Sequence, residues 1–142
     1  MLISQTLVEL IERNADELAN RWLRDVQKHK ATPTYHSYNP TLLHQRAFSV
    51  YSQLGKWLSK DTTKEEIAKH YLALGAKRRK EGFALSEVVQ ALVITRRYVW
   101  LKVLEAGFLN TALDMHQALD LNNRVVLFFD RAIYFVVHGY ED

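Results

Sequence analysis

Between Lys77 and Trp100 the chain passes from four consecutive cations, Lys77-Arg78-Arg79-Lys80, through the turn Glu81-Gly82-Phe83 into an apolar helical pattern that carries an arginine. Gly82 ends one helix and the next begins almost at once, near Leu85, so residues 64–106 are predicted to form a tight antiparallel helical hairpin. At about 100° per residue, Leu85, Val88, Val89, Leu92, Val93, Val99, Trp100 and Val103 share one broad face, with Arg96 near its middle. A guanidinium buried there needs a partner, because an unpaired charge in an apolar interior is strongly unfavourable. The bland resolution is snorkelling past Leu92 and Trp100, or a structural pair with Glu87, Asp130 or Glu105. The sharper one is a pocket in which Arg96, with Arg79 or Tyr98, receives an anionic or polar ligand. Arg79, Glu87, Arg96 and Tyr98 are therefore the candidate ligand or buried-polar site.

The helical period continues on both sides. Leu7, Leu10, Ile11, Ala15, Leu18, Trp22, Leu23 and Val26 form one stripe over residues 4–30, and Asn14 to Glu17 has the form of an internal capping box, which predicts one bent helix or two. Lys30 to Pro40 holds both prolines and is the clear loop; Asn39 followed by Pro40 then starts a helix that reaches about Leu58. Thr62 or Thr63 caps the next, with Glu65 and Glu66 in its first turn and the cationic block in its last, each sign matching the helix dipole. Gly107 closes the arginine-bearing helix, and Asn110 or Thr111 opens a final one ending near Tyr140. The β-branched and aromatic run from Val125 to Val137 would also suit strands, yet no second strand-like segment exists to pair with it. On this last helix Leu127, Arg131 and Tyr134 gather on an outer face beside Arg124, Asp130 and His138, the partly apolar surface that a dimer or output-domain contact requires. The expectation is one all-α domain over residues 1–142, a bundle of five or six helices, with globin-like crossing angles as one arrangement left open.

Several kinds of chemistry drop out. With no cysteine among the 142 residues, a disulfide framework, a thiolate zinc site and a cysteine nucleophile are excluded. The histidines at 29, 36, 44, 70, 116 and 138 include no pair at the spacing that presents two rings to one metal, and no Glu-x-x-His motif supports a di-iron bundle. Neither a phosphate-cradling glycine loop nor a nucleophile elbow occurs, so no enzyme is expected. The formal charge of +3 is a modest excess. The basic blocks at Arg21 to Lys30 and Lys77 to Lys80 read as helix ends, and the helix after Gly82 is too apolar to enter a DNA groove, so no nucleic-acid partner is expected. Asp130 and Arg131 split the longest apolar stretch, which is too short for a bilayer, and Glu9, Glu12 and Arg13 interrupt the first one. No membrane contact is expected and the cytoplasm is the default location. No cofactor is expected; haem, which needs a single proximal histidine, stays open through His70 or His116.

The segment His70 to Arg97, with Arg79, Gly82-Phe83, Leu85, Glu87-Val88-Val89 and Arg96-Arg97, resembles the RsbRD N-terminal domain family, the input domains of RsbT co-antagonist proteins. Asp16-Glu17-Leu18 leading to Arg21-Trp22-Leu23 resembles the family's first helix, and Asp130-Arg131-Ala132 with Tyr140 its last. What the resemblance implies is a bacterial, non-enzymatic signalling input module: all-helical, dimerising, and placed ahead of output domains in stress-response regulators, including stressosome components, and of histidine kinases and phosphatases. It supplies no catalytic residues and no established ligand. In such proteins an output domain would begin about where this chain ends, at Asp142, so the chain reads as part of a longer protein or as a free-standing relative working in trans. A ligand- or haem-binding globin-like sensor and a plain protein-interaction bundle are the alternatives.

Overall fold

Helix boundaries follow from local chemistry. The computed structural model describes residues 3–107 and 109–142, and among them seven α-helices occur and no strand: α1 (Ile3–Arg13), α2 (Ala15–Val26), α3 (Pro40–Ser52), α4 (Leu54–Leu58), α5 (Lys64–Lys80), α6 (Leu85–Glu105) and α7 (Ala112–Glu141), with a 3-10 turn at Pro33–His36. The Asn39 side chain accepts from the Leu42 amide, with Pro40 at the first helical position. Thr63 and Glu66 form a reciprocal capping box on α5, and Thr111 accepts from the Asp114 amide to open α7. At the end of α5 the Phe83 amide returns to the Arg78 carbonyl and the Gly82 amide to that of Arg79. Gly82, at φ 93°, supplies the left-handed residue this Schellman closure demands.

Two long segments break: the first, at Asn14, is the two-helix form of the expectation for residues 4–30, and the second, at Gln53, takes the described helices one beyond the five or six expected. Asn14 (φ −105°, ψ 21°) separates α1 from α2, but its side chain donates back to the Leu10 carbonyl at 2.8 Å and makes no capping bond to α2, so the expected capping box is absent. Gln53 (φ −116°, ψ 20°) separates α3 from α4, and the Glu12 carboxylate fastens the break by accepting from the Gly55 amide at 2.9 Å.

One continuous core joins all seven helices, with Leu7, Ile11, Leu18, Tyr51, Ile94 and Phe129 among its fully covered members. Each large apolar side chain removed from water this way contributes about 1.5–3 kcal/mol. Trp57, Tyr71 and Phe128 pack ring on ring, with centroids 5.6–5.8 Å apart. Buried polar tips are satisfied by main chain: the Trp22 indole donates to the Ala91 carbonyl at 3.1 Å and the Tyr51 hydroxyl to that of Thr95 at 3.0 Å.

The expected α5–α6 hairpin is corrected. The tight turn is present, but α5 lies along α7 and makes little contact with α6, which packs on α7 and α2. Glycine explains the choice. A Cβ on Gly75 would fall 2.1 Å from the Val136 carbonyl oxygen, and one on Gly139 would fall 2.0 Å from that of Leu72. The two helices therefore touch backbone to backbone, which no side chain larger than hydrogen allows.

Candidate functional site

Helix α3 packs on α2, α5 packs on α7, and the space between α3 and α5 is left open. It forms a cleft of about 810 Å³, within the range of ligand sites. Val88, Ala91, Leu92 and Thr95 of α6 make its floor. Leu43, Ala47 and Val50 line the α3 wall, Tyr71 and Leu74 the α5 wall, and Trp57 of α4 closes the far end. His70 stacks on Trp57 with centroids 4.9 Å apart. Burial, then the charges of Lys56 and Arg78, lower its pKa, so near neutral pH the imidazole is uncharged.

The near end is charged. Arg46 of α3 and Arg78 of α5 share one carboxylate, Glu81 at the α5 terminus, at 2.5 and 3.2 Å. The three side chains are only 10–16% exposed. Burial opposes ionisation of Glu81, but the hydrogen bond from Arg46 and the charges of Arg78 and Arg46 outweigh it and hold the carboxyl below its usual range. Burial, with the like charge of Arg46 next, lowers the Arg78 pKa while leaving it a cation. One carboxylate thus serves two guanidiniums. Arg46 Nη1 is buried without a hydrogen-bond partner, the single such side-chain atom among the described residues.

The four residues singled out from sequence do not meet. Arg79 is exposed, donates to the Tyr140 carbonyl at 3.0 Å and lies 5.9 Å from the Tyr140 ring, so it ties α5 to the end of α7. Glu87 is buried at the start of α6, where it accepts from the Ala84 amide at 3.1 Å and from the Thr34 amide and hydroxyl at 2.6 and 2.8 Å, anchoring the proline loop. The Tyr98 hydroxyl donates to Asp25 of α2 at 2.8 Å, beneath the Arg21 guanidinium, 5.0 Å from its ring. The position of Arg96 is a correction: it is 32% exposed and stands 3.8 Å from Asp130, itself 62% exposed. The buried face of α6 runs through Glu87, Val88, Ala91, Ile94, Thr95, Val99 and Val103; Val88, Val99 and Val103 lie on the face that apolar periodicity picked, and the other four shift its centre. Two of the seven are polar and were invisible to a hydrophobic count: Glu87 is covered because it caps, and Thr95 because its hydroxyl donates to the Ala91 carbonyl at 2.8 Å. Val89, Leu92, Val93 and Trp100 are only half-buried.

The domain described as the RsbT co-antagonist protein rsbRD N-terminal domain matches residues 16–142. The chain belongs to this family. It is thereby a regulatory input domain of the stressosome type. No curated protein and no solved structure matches it. No helix among the described residues is long and apolar enough to cross a membrane, and no group of three or more metal-ligating side chains is gathered there.

In this RsbRD N-terminal domain the outer face of α7 carries Leu127 at 48% exposure and Tyr134 at 58%, with Arg131 half-buried between them. Leu113, at 63%, precedes Leu127 by two heptads and Tyr134 by three, so the three lie along one line of the helix. The cleft pair Arg46 and Arg78 was missed from sequence. Its signal was present: Arg78 follows Ile67, Tyr71 and Leu74 at helical spacing, and Arg46 sits beside the Leu43, Ala47 and Val50 stripe. Lys77, Arg79 and Lys80 are exposed, as helix-end cations are, whereas Arg78 is turned inward.

Proposed function

We propose that this chain is a non-enzymatic, cytoplasmic bacterial input domain that acts as a homodimer and relays a signal to an attached output domain or a partner protein. The observation that carries the reading is membership of the RsbRD N-terminal domain family over residues 16–142. The dimer reading rests on α7. Its line of Leu113, Leu127 and Tyr134 leaves apolar surface in water unless a partner covers it, and seven-residue spacing suits a second helix alongside. A helix of 30 residues that also packs on α5 and α6 is a direct route from the core to whatever follows the domain.

Light scattering on the purified chain at tens of micromolar tests this first. The expected result is twice the chain mass, falling to the chain mass in a Leu127→Lys, Tyr134→Lys double variant whose helicity is unchanged. A wild-type monomer would remove the homodimer from the proposal. The cleft favours a ligand-binding sensor as the second reading, with haem its most easily tested occupant: a Soret band after reconstitution that is lost in His70→Ala supports it, and no band sinks it. A plain interaction bundle is what remains if the chain dimerises and the cleft takes up nothing.

A further inference from the structure

The α3–α5 cleft joins an apolar body to a cationic rim. Its body is lined by aliphatic and aromatic side chains, and its mouth and near end are cationic: Arg46, Lys56, Lys69, Lys77 and Arg78 border it, against the single lining carboxylate Glu66. At the near end the charge is also unmatched locally, since Glu81 serves both arginines and Arg46 Nη1 has no acceptor. A buried donor left unsatisfied is unfavourable, and more so when it is charged. A carboxylate in the cleft, met by a turn of the Arg46 guanidinium whose Nη1 is covered in its present position, would remove that cost and complete a second charge-assisted pair. Along α5 the cleft runs from Glu66 to Arg78, which at 1.5 Å per residue is about 18 Å. A fully extended chain advances about 1.2 Å per bond. A head group at the arginines thus leaves room for a tail of roughly ten to fourteen carbons.

We propose that the cleft binds an amphipathic monocarboxylate, its head on Arg46 and Arg78 and its alkyl tail over Leu43, Val50, Leu74 and Trp57. This deepens the input-domain reading by naming the class of molecule that would be the input. Occupancy would draw α3 toward α5, and α5 is joined through its glycine contact to α7, the helix with the exposed apolar line. The commitment to an anion follows from the charge: a neutral amphiphile offers an acceptor but no counter-charge to the two arginines, and a cationic one would face five cations.

Calorimetric titration of the full chain with dodecanoate, dodecanol and dodecylamine, each below its aggregation concentration, tests the proposal. Dodecanoate should bind at least about tenfold more tightly than dodecanol, the equivalent of 1.4 kcal/mol, and dodecylamine should bind most weakly. Arg46→Gln, which leaves the Arg78–Glu81 pair in place, should abolish the preference for dodecanoate over dodecanol without loss of helicity. Equal affinity for the three probes, no binding of dodecanoate, or an unchanged preference in a folded Arg46→Gln overturns the proposal. Should Arg46→Gln fail to fold, Leu74→Trp decides instead: filling the half-buried α5 wall should eliminate dodecanoate binding, and retained binding overturns the site. The readout does not depend on oligomeric state. A monomer that binds dodecanoate keeps the cleft and loses the dimer, and a dimer that does not bind loses only the cleft.

Discussion

Helix α5 meets α7 on one face and α3 on the opposite face, and the two contacts could hardly differ more. Toward α7 the chain places Gly75 against Val136, and Gly139 against Leu72, at backbone contact distance. Toward α3 it leaves about 810 Å³ open, bridged at one end by Arg46, Glu81 and Arg78. A close-packed seam transmits displacement because it cannot be compressed. A cleft held by an ion cluster can open and close, since its contacts are few and can be exchanged for those of a ligand. The difference gives α5 backbone-to-backbone packing on one side and little but an ion cluster on the other.

Breaking the seam should have the largest effect. In Gly75→Ala the new methyl would meet a main-chain carbonyl and amide of α7 that have no rotamer to yield, at 2.1 and 2.8 Å. Alanine gains about 1 kcal/mol of helix propensity over glycine, yet overpacking typically loses 1–3 kcal/mol, and against main chain that cannot yield the loss is about 3–4 kcal/mol. A net destabilisation of about 2–3 kcal/mol, or roughly 10 °C in thermal midpoint, is expected by circular dichroism. Gly55→Ala is the internal control: its methyl would meet side chains only, Glu12 at 3.0 Å and Val8 at 3.3 Å, and would press on the carboxylate that accepts from the Gly55 amide, so its midpoint should fall far less than that of Gly75→Ala. If both variants behave alike, the seam is not the rigid side of the comparison.

Breaking the ion cluster comes next. Glu81→Gln leaves two largely covered guanidiniums without their counter-charge, and a loss of about 2 kcal/mol is expected, below the 3–5 kcal/mol of a fully buried pair. Because the folded carboxyl ionises at lower pH than the unfolded one, the unfolded chain binds more protons as pH falls below about 4.3. The contribution of Glu81 is therefore complete above that pH and fades as pH falls through the depressed folded value. Denaturant titrations at pH 7 and pH 3.5 should show the gap between wild type and Glu81→Gln narrowing at the lower pH. If Glu81 competes with a ligand for the arginines, dodecanoate should stabilise the variant more than the wild type. A constant gap, or no such gain, would mean that the cluster is a static brace.

Which parts of this were legible in the sequence follows from the physics of each. Caps at Asn39, Thr63 and Thr111 and the Gly82 turn were readable because short-range hydrogen bonding and backbone stereochemistry decide them. The partner of α5 was not, because a glycine pair 64 residues apart produces no apolar period and announces itself only when two backbones meet. The cleft was hidden for a related reason. Periodicity reports which face of a helix is apolar, not whether another helix covers it, and the apolar side chains of Val50 and Leu74 border open space. Arginine misled in both directions: Arg96, with apolar neighbours along the chain, reaches solvent and Asp130, while Arg78, inside a cationic block, is covered by α3 and the Glu81 turn.

Arg96→Met should have the smallest effect, and for that reason it sharpens the comparison. Arg96 belongs to neither side of α5; its contact with Asp130 is long and well exposed, and ion pairs of that kind contribute about 0–1 kcal/mol. Methionine preserves helix propensity and the aliphatic cover over α6. The thermal midpoint should therefore move by no more than about 2 °C, corresponding to about 0.5 kcal/mol, and dodecanoate affinity should not change. A loss comparable to that of Glu81→Gln would place a second buried charge at the α6–α7 contact, beside the apolar α5–α7 seam. An unchanged midpoint leaves Arg46, Arg78 and Glu81 as the ion cluster whose loss the domain feels.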